Sequence, residues 1–230
     1  MSTNTFKPAL IVVDLQEDFC PPNGSLAVAE GRETVAVVNR LLELPAFVLR
    51  VATQDWHPQD HISFASNHAP KKPFVDFATV VNPLNPDEPS YETQLWPDHC
   101  VQNTPGAALV PELDPAHRLD EIIKKGTNKD VEMYSAFYDP FTNPRVSDSG
   151  LAGKLQAAGV THVYVVGLAA DFCVRCTALD SLKEGFTTYI VEEGTRAVNG
   201  AGWPEQMQGL EALGVRVVRM DGPEVALLKS

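Results

Sequence analysis

The sequence predicts an α/β fold built on a mostly parallel sheet. Three observations lead there. Short, apolar, β-branched runs recur along the 230 residues. Amphipathic stretches of helical period separate them, and Gly, Pro, Asn and Asp mark the joints. The runs are nearly continuous in their hydrophobicity, as strands covered on both faces are.

Taken in order, ALIVVD (9–14) is a buried strand and TVAVVNRLLEL (34–44) an amphipathic helix. AFVLRVATQD (46–55) and LDEIIKKG (119–126) are the second and third strands. LAGKLQAAG (151–159) reads as a helix, HVYVVGLA (162–169) as a strand and FCVRCTALDSLKEG (172–185) as a helix. TTYIVEE (187–193) is a strand, a helix lies within 203–213, and VRVVRM (215–220) is the last strand. Residues 66–115 break this rhythm, being rich in proline and polar side chains. Long irregular stretches inside compact domains are usually functional, so this one is expected to close over a site. The chain is read as one domain, 1–230, with an irregular insertion at about 66–94.

A formal net charge of −12 and a pI near 4.8 argue against a nucleic-acid partner. No apolar run is long enough for a membrane span, and MSTNTFKPALIVVDL lacks the basic flank and apolar core of a secretory leader. The closing ALLKS matches no retention or peroxisomal signal. Four cysteines, two of them isolated, do not suggest a disulfide framework. The expected setting is therefore the cytoplasm, and nothing bars entry to the nucleus. A homo-oligomer is compatible with the sequence.

In open parallel sheets, ligands bind beyond the carboxyl ends of the strands, and the chemically capable residues cluster there. Asp14 ends the first run; it either caps a turn, as Asp18 could, or acts as a general base whose pKa burial raises. Lys125 follows Lys124, and strand alternation lets only one of the pair point into the crevice. Asp55 and His57 lie two apart on one face, and His99 in WPDHC can supply a third ligand to a divalent metal. His61 and His68 are alternatives, and isolated histidines are more often structural. Cys173 sits at the mouth of a strand–turn–helix, where a helix N-terminus favours the thiolate and offers N–H groups to an oxyanion.

Cys173 and Cys176 form a C-x-x-C. A zinc knuckle needs a second ligand pair, and Cys20 and Cys100 are singletons. A thioredoxin-like pair usually opens an early βα unit, whereas this one comes late. A nucleophile at 173 with a packed neighbour at 176 fits better.

Together, IVVDLQEDFCPPNGSLAV (11–28), TQDWHPQDHISFASNH (53–68), LWPDHCVQNTPGAALVPEL (95–113), KKGTNKDVEMYSAF (124–137) and VVGLAADFCVRCTALDS (165–181) resemble nicotinamidases of the isochorismatase-like hydrolase superfamily. The resemblance runs in order from about residue 9 to 200. It implies a three-layer fold, a six-stranded mostly parallel sheet with helices on both faces. It implies Asp14, Lys125 and Cys173 as the catalytic set and Asp55, His57 and His99 as ligands of one divalent metal, zinc first, with iron or manganese also suited. Phe19, Trp96, Tyr134 and Leu168 would line the substrate pocket. A cis peptide at Leu168–Ala169 would aim the N–H groups of Ala169 and Cys173 at an oxyanion. The implied activity is hydrolysis of nicotinamide to nicotinate and ammonia in NAD salvage; the sequence leaves acceptance of ring analogues such as pyrazinamide open. Cys176 departs from the family by standing where a small residue such as alanine is expected, and Ala170-Asp171-Phe172 varies the residues before the nucleophile. The long proline-rich stretch resembles eukaryotic, fungal-type members.

Overall fold

A computed structural model describes residues 5–114 and 117–230. Residues 1–4, part of the segment weighed as a leader, and 115, the end of the irregular stretch, lie outside them. In chain order the elements are β1 (Pro8–Val13), α1 (Thr34–Leu42), β2 (Leu49–Asp55), β3 (Phe77–Val80), β4 (Tyr91–Gln94), β5 (Glu121–Lys125) and α2 (Leu151–Ala157). They continue with β6 (His162–Leu168), α3 (Arg175–Lys183), β7 (Thr187–Arg196), α4 (Trp203–Leu213), β8 (Arg216–Val218) and α5 (Pro223–Ala226). Six strands form one parallel sheet in the order β5-β2-β1-β6-β7-β8. No helix among the described residues is long and apolar enough to cross a membrane.

The three layers follow from alternation along the strands. Leu10, Val12, Tyr164, Val166, Tyr189 and Val191 pack against Val35, Val38 and Leu41 of α1. The intervening Ala9, Ile11, Val13, Val163, Val165 and Ile190 meet Leu151 and Leu155 of α2, Ala178 of α3 and Leu210 of α4. All six residues of β1 are buried, because a central parallel strand is covered on both sides. Each such aliphatic side chain contributes about 1.5–3 kcal/mol by leaving water.

From β1 the chain first builds outward through β2 and β5, and later through β6 to β7 and β8. The switch lies between β1 and β6, and the crevice opens at their carboxyl ends. Register then decides which side chains meet. Asp55 pairs with Lys125 across β2 and β5, and Val13 pairs with Gly167 across β1 and β6.

Two segments differ from the sequence reading. The 66–94 insertion contains β3 and β4, an antiparallel pair. Ala78 packs with Ala65 and Leu95, and Val80 with Val131 and Phe141. Four-residue strands set among prolines carry too short an alternation to be read. β7 runs three residues past 193 because its pairing with β6 slips between Val165 and Gly167, a bulge that a period of two cannot anticipate.

Gly167 makes the site's geometry possible. Its φ is +107°, and a Cβ there would stand 1.9 Å from the Val13 carbonyl oxygen. Gly167→Ala is expected to cost about 3 kcal/mol or more in denaturant unfolding. Gly150 also has positive φ, +74°, but open space around it, so Gly150→Ala should cost only about 1 kcal/mol. Equal stabilities for the two variants would contradict this packing.

Candidate active site

β1 delivers Asp14 to the crevice at φ 46°, a left-handed conformation that Asp tolerates better than most residues. Thr53, two residues before Asp55 on the same face of β2, fixes it. The Asp14 N–H donates to Thr53 Oγ1 (3.2 Å), and that hydroxyl donates to Asp14 Oδ1 (2.6 Å). Gln16 braces the neighbouring strand end: its Oε1 accepts the Asp55 N–H (2.8 Å) and its Nε2 donates to the Asp55 carbonyl (2.8 Å).

Alternation on β5 separates the two lysines as expected. The Lys124 ammonium lies 3.4 Å from the centre of the Trp56 ring. Lys125 is buried, with its Nζ 3.0 Å from Asp14 Oδ2, 2.6 Å from Asp55 Oδ1, 3.2 Å from the Met133 carbonyl oxygen and 3.5 Å from Cys173 Sγ. Burial works to lower the Lys125 pKa, but Asp14 and Asp55 outweigh it and hold that pKa well above the usual range. Burial also pushes the Asp14 carboxyl up to about 6, opposed by Lys125 and reinforced by Asp55. Asp14 Oδ2 makes no aligned hydrogen bond among the described residues, which leaves it able to accept a proton.

Cys173 lies in a π-turn, Ala170–Val174, ahead of α3. The Val174 N–H reaches back five residues to the Ala169 carbonyl (3.1 Å), a geometry frequent at functional sites. The Leu168–Ala169 peptide is cis, as the resemblance implied. The sulfur lies within 4.8 Å of carboxylate oxygens of Asp14 and Asp55. Burial, and then the charges of Asp14 and Asp55, hold its pKa well above the ordinary value despite Lys125. The expected lowering by a helix N-terminus is thus overridden: the resting thiol is neutral and needs a base.

Beside this cluster, ligand atoms of Asp55, His57 and His99 lie within 4.8 Å of one another. His57 Nδ1 lies 2.8 Å from the Gly126 carbonyl oxygen, and His99 Nδ1 lies 2.7 Å from that of Pro97. A carbonyl only accepts, so each Nδ1 carries a hydrogen. Burial works against a charge on His57 but Asp55 beside it raises its pKa, so a metal at His57 Nε2 would compete with a proton, whereas His99 Nε2 offers a lone pair. Burial and then the His57 charge push His99 down to about 4, so it is neutral at pH 7. Burial works to raise Asp55, but Lys125 and His57 hold it ionised. This donor set fits a divalent transition metal. Of the alternatives, His61 engages Ser63 through Nδ1 and the Val131 carbonyl through Nε2, and His68 Nε2 engages the Ile62 carbonyl. Asp18 accepts the Cys100 N–H (2.7 Å) and so holds the strip carrying His99, outside the thiol cluster.

A cavity between the two clusters is lined by Phe19, Leu26, Trp96, Tyr134, Phe172 and Val198 together with Asp55, His99, Ala169 and Cys173. Trp96 Nε1 donates to the Tyr134 hydroxyl (2.9 Å), and Phe172 meets the Trp96 ring edge-on at 4.8 Å. Leu168 corrects an expectation. Its side chain continues the Tyr164–Val166 row into the core on the α1 face, and Ala169 lines the cavity in its place. The sequence reading missed Leu26, Phe172 and Val198 as lining residues. It also missed Thr53 and Gln16; the alternation placing Thr53 on the face of Asp55 was the one available signal. All four cysteines are free, and Cys176 lies half-buried in a separate groove beside Tyr138 and Leu179.

Lys125→Met would leave Asp14 and Asp55 buried without their cation. It is expected to lose about 3–5 kcal/mol in denaturant unfolding, with part recovered in Lys125→Met/Asp14→Asn. Wild-type stability in the single variant would contradict the arrangement.

The isochorismatase domain model matches residues 8–221. A nicotinamidase from Acinetobacter baylyi is 42% identical over 205 residues, covering 86% of this chain and 88% of that protein. The crystal structure of the yeast nicotinamidase bound to the inhibitor nicotinaldehyde superimposes with a TM-score of 0.83 at 33% identity, covering 92% of this chain and 99% of that one. The pyrazinamidase of Pyrococcus horikoshii in complex with zinc gives a TM-score of 0.71 at 35% identity, covering 93% and 99%. By identity the bacterial relative matches at least as well as the nicotinamidase of Saccharomyces cerevisiae, which is 36% identical over 194 residues. With a family match over most of its length and these clusters at the strand ends, the chain belongs to the isochorismatase family, among its nicotinamidase relatives.

Proposed function

We propose that this protein hydrolyses nicotinamide to nicotinate and ammonia through a thioester on Cys173, a step of NAD salvage. The observation that carries the reading is the buried juxtaposition of a neutral thiol, a carboxylate with a raised pKa and a lysine ammonium, opening onto an aromatic cavity beside three metal-type donors. Asp14 takes the thiol proton, and Lys125 holds the charge that moves between them. The sulfur attacks the carboxamide carbon, and the N–H groups of Ala169 and Cys173 receive the oxyanion. Collapse breaks the C–N bond, and Asp14 passes its proton to the departing ammonia. A water then loses a proton to Asp14 as it attacks the thioester. Nicotinate leaves and the proton returns to sulfur.

A divalent ion held by Asp55, His57 and His99 would supply a Lewis-acid anchor for the pyridine nitrogen and so orient the ring. Zinc is assigned first, because the related P. horikoshii pyrazinamidase is complexed with it; iron and manganese suit the same donors. Phe19, Trp96 and Tyr134 hold the ring faces. Pyrazinamide carries the same ring carboxamide and is the expected second substrate. The compartment is assigned as the cytoplasm.

Cys173→Ala and Asp14→Asn should each lower ammonia release from nicotinamide by about 1,000-fold or more, and full activity in Cys173→Ala would end the mechanism. Asp14 must be ionised to accept the thiol proton. With its pKa raised to about 6, kcat/KM should fall as pH drops through about 6, roughly tenfold per unit below it. His57→Ala should weaken metal binding by more than about 100-fold in chelator competition, and unchanged affinity would remove His57 from the ligand set.

A further inference from the structure

The nucleophile's turn carries a carboxylate that takes no part in the chemistry above. Asp171 is buried, two residues before Cys173, and both its oxygens are engaged by one distant segment. Oδ1 accepts the Val198 N–H (2.9 Å) and Oδ2 the Asn199 N–H (2.8 Å). This segment joins β7 to α4, and Val198 is its one member among the described residues that lines the cavity. Val198 is 39% exposed, whereas Phe19, Leu26, Trp96, His99 and Cys173 are all buried. It therefore stands at the mouth, with the partly buried Phe172 and Tyr134. The segment's near end is pinned by Thr195 Oγ1 donating to the Gly167 carbonyl (2.7 Å) and by an Arg196–Glu30 ion pair (3.3 Å), and past Asn199 the chain turns locally, the Gly202 N–H donating to the Asn199 carbonyl (3.1 Å). Between them, the Asp171 carboxylate is the tether that connects Val198 to the turn bearing the nucleophile.

The cavity behind this wall is narrow, lined on its inner side by the buried Phe19, Leu26, Trp96 and His99. The placement of the mouth thus decides what reaches Cys173. Two N–H donors converge on one side chain, and the carboxylate accepts one on each oxygen. An asparagine of the same shape would turn its own NH₂ against one of them.

We propose that Val198 is a specificity-determining residue at the mouth of the site, and that Asp171 is a positioning residue that fixes it there. Together they restrict access to flat, unsubstituted ring carboxamides. The substrate class rests on the nicotinamidase reading; the gating of the thiol does not.

The test uses two arms on the full-length protein. In the first, alkylation of Cys173 by iodoacetamide and by bulkier N-benzyl-iodoacetamide is timed and mapped by peptide mass spectrometry. Val198→Ala and Asp171→Asn should each raise the bulky-to-small rate ratio about tenfold or more. In the second, kcat/KM for a ring-methylated nicotinamide relative to nicotinamide should rise in the same variants. Asp171→Ala, which removes the acceptor without adding a donor, replaces Asp171→Asn if that variant fails to fold. A merely structural role would change both reagents alike, and a wild-type ratio in the Asp171 and Val198 variants overturns the proposal. A shifted alkylation ratio in a protein that releases no ammonia from nicotinamide would sink the activity reading and leave the gate standing.

Discussion

The site is organised around one buried cation. The Lys125 ammonium touches Asp14 Oδ2, Asp55 Oδ1 and the Cys173 sulfur, with the Met133 carbonyl completing its shell. Two carboxylates could not share a buried crevice without such a charge, because each would meet a desolvation cost with nothing to offset it. Its position is a consequence of register: Lys125 is the last residue of β5 and pairs with Asp55, the last of β2. Asp55 in turn faces two ways. One oxygen meets the lysine and the other lies 3.5 Å from His57 Nε2, so a single carboxylate joins the thiol cluster to the metal donors. Any change in either half is felt by the other through this residue.

The functional residues come from five segments, yet most were legible because a parallel sheet assembles its site from strand ends. Asp14, Asp55 and Lys125 stand at the carboxyl ends of their apolar runs, where such a sheet places its chemistry, and alternation chose Lys125 over Lys124. The resemblance in five motifs then implied roles that spacing left open, such as His99 over His61 and His68. The hidden features depend on contacts far apart in sequence. Thr53 holds Asp14 across 39 residues, Gln16 grips Asp55 across the same span, and Asp18 reaches Cys100 across 82. Polar side chains with such partners look like any others in a linear reading. Leu168 was misplaced for a related reason. Sharing a peptide bond with Ala169 does not give it the same orientation, and the strand's alternation sends it to the core.

The direction of thiol activation shows how magnitudes decide between two opposing effects. A helix N-terminus does favour a thiolate, but its effect is modest and confined to the first turn. Full burial beside two carboxylates is larger, and it keeps the proton on Cys173. The C-x-x-C spacing loses its apparent meaning for the same structural reason. Cys173 belongs to the Asp14–Lys125 cluster, while Cys176, about a turn further on, lines a different groove and packs near Tyr138.

The central claim is that this buried cluster serves the sulfur of Cys173 as nucleophile, with the metal site orienting the ring. Rapid acid quenching during turnover of nicotinamide, followed by peptide mapping, tests it most directly. The account expects a nicotinoyl thioester on Cys173, formed alongside ammonia and diverted to the hydroxamate when hydroxylamine is present. Steady turnover with no acyl group on Cys173 and no hydroxamate would contradict it, and would point to direct attack by water on the carboxamide.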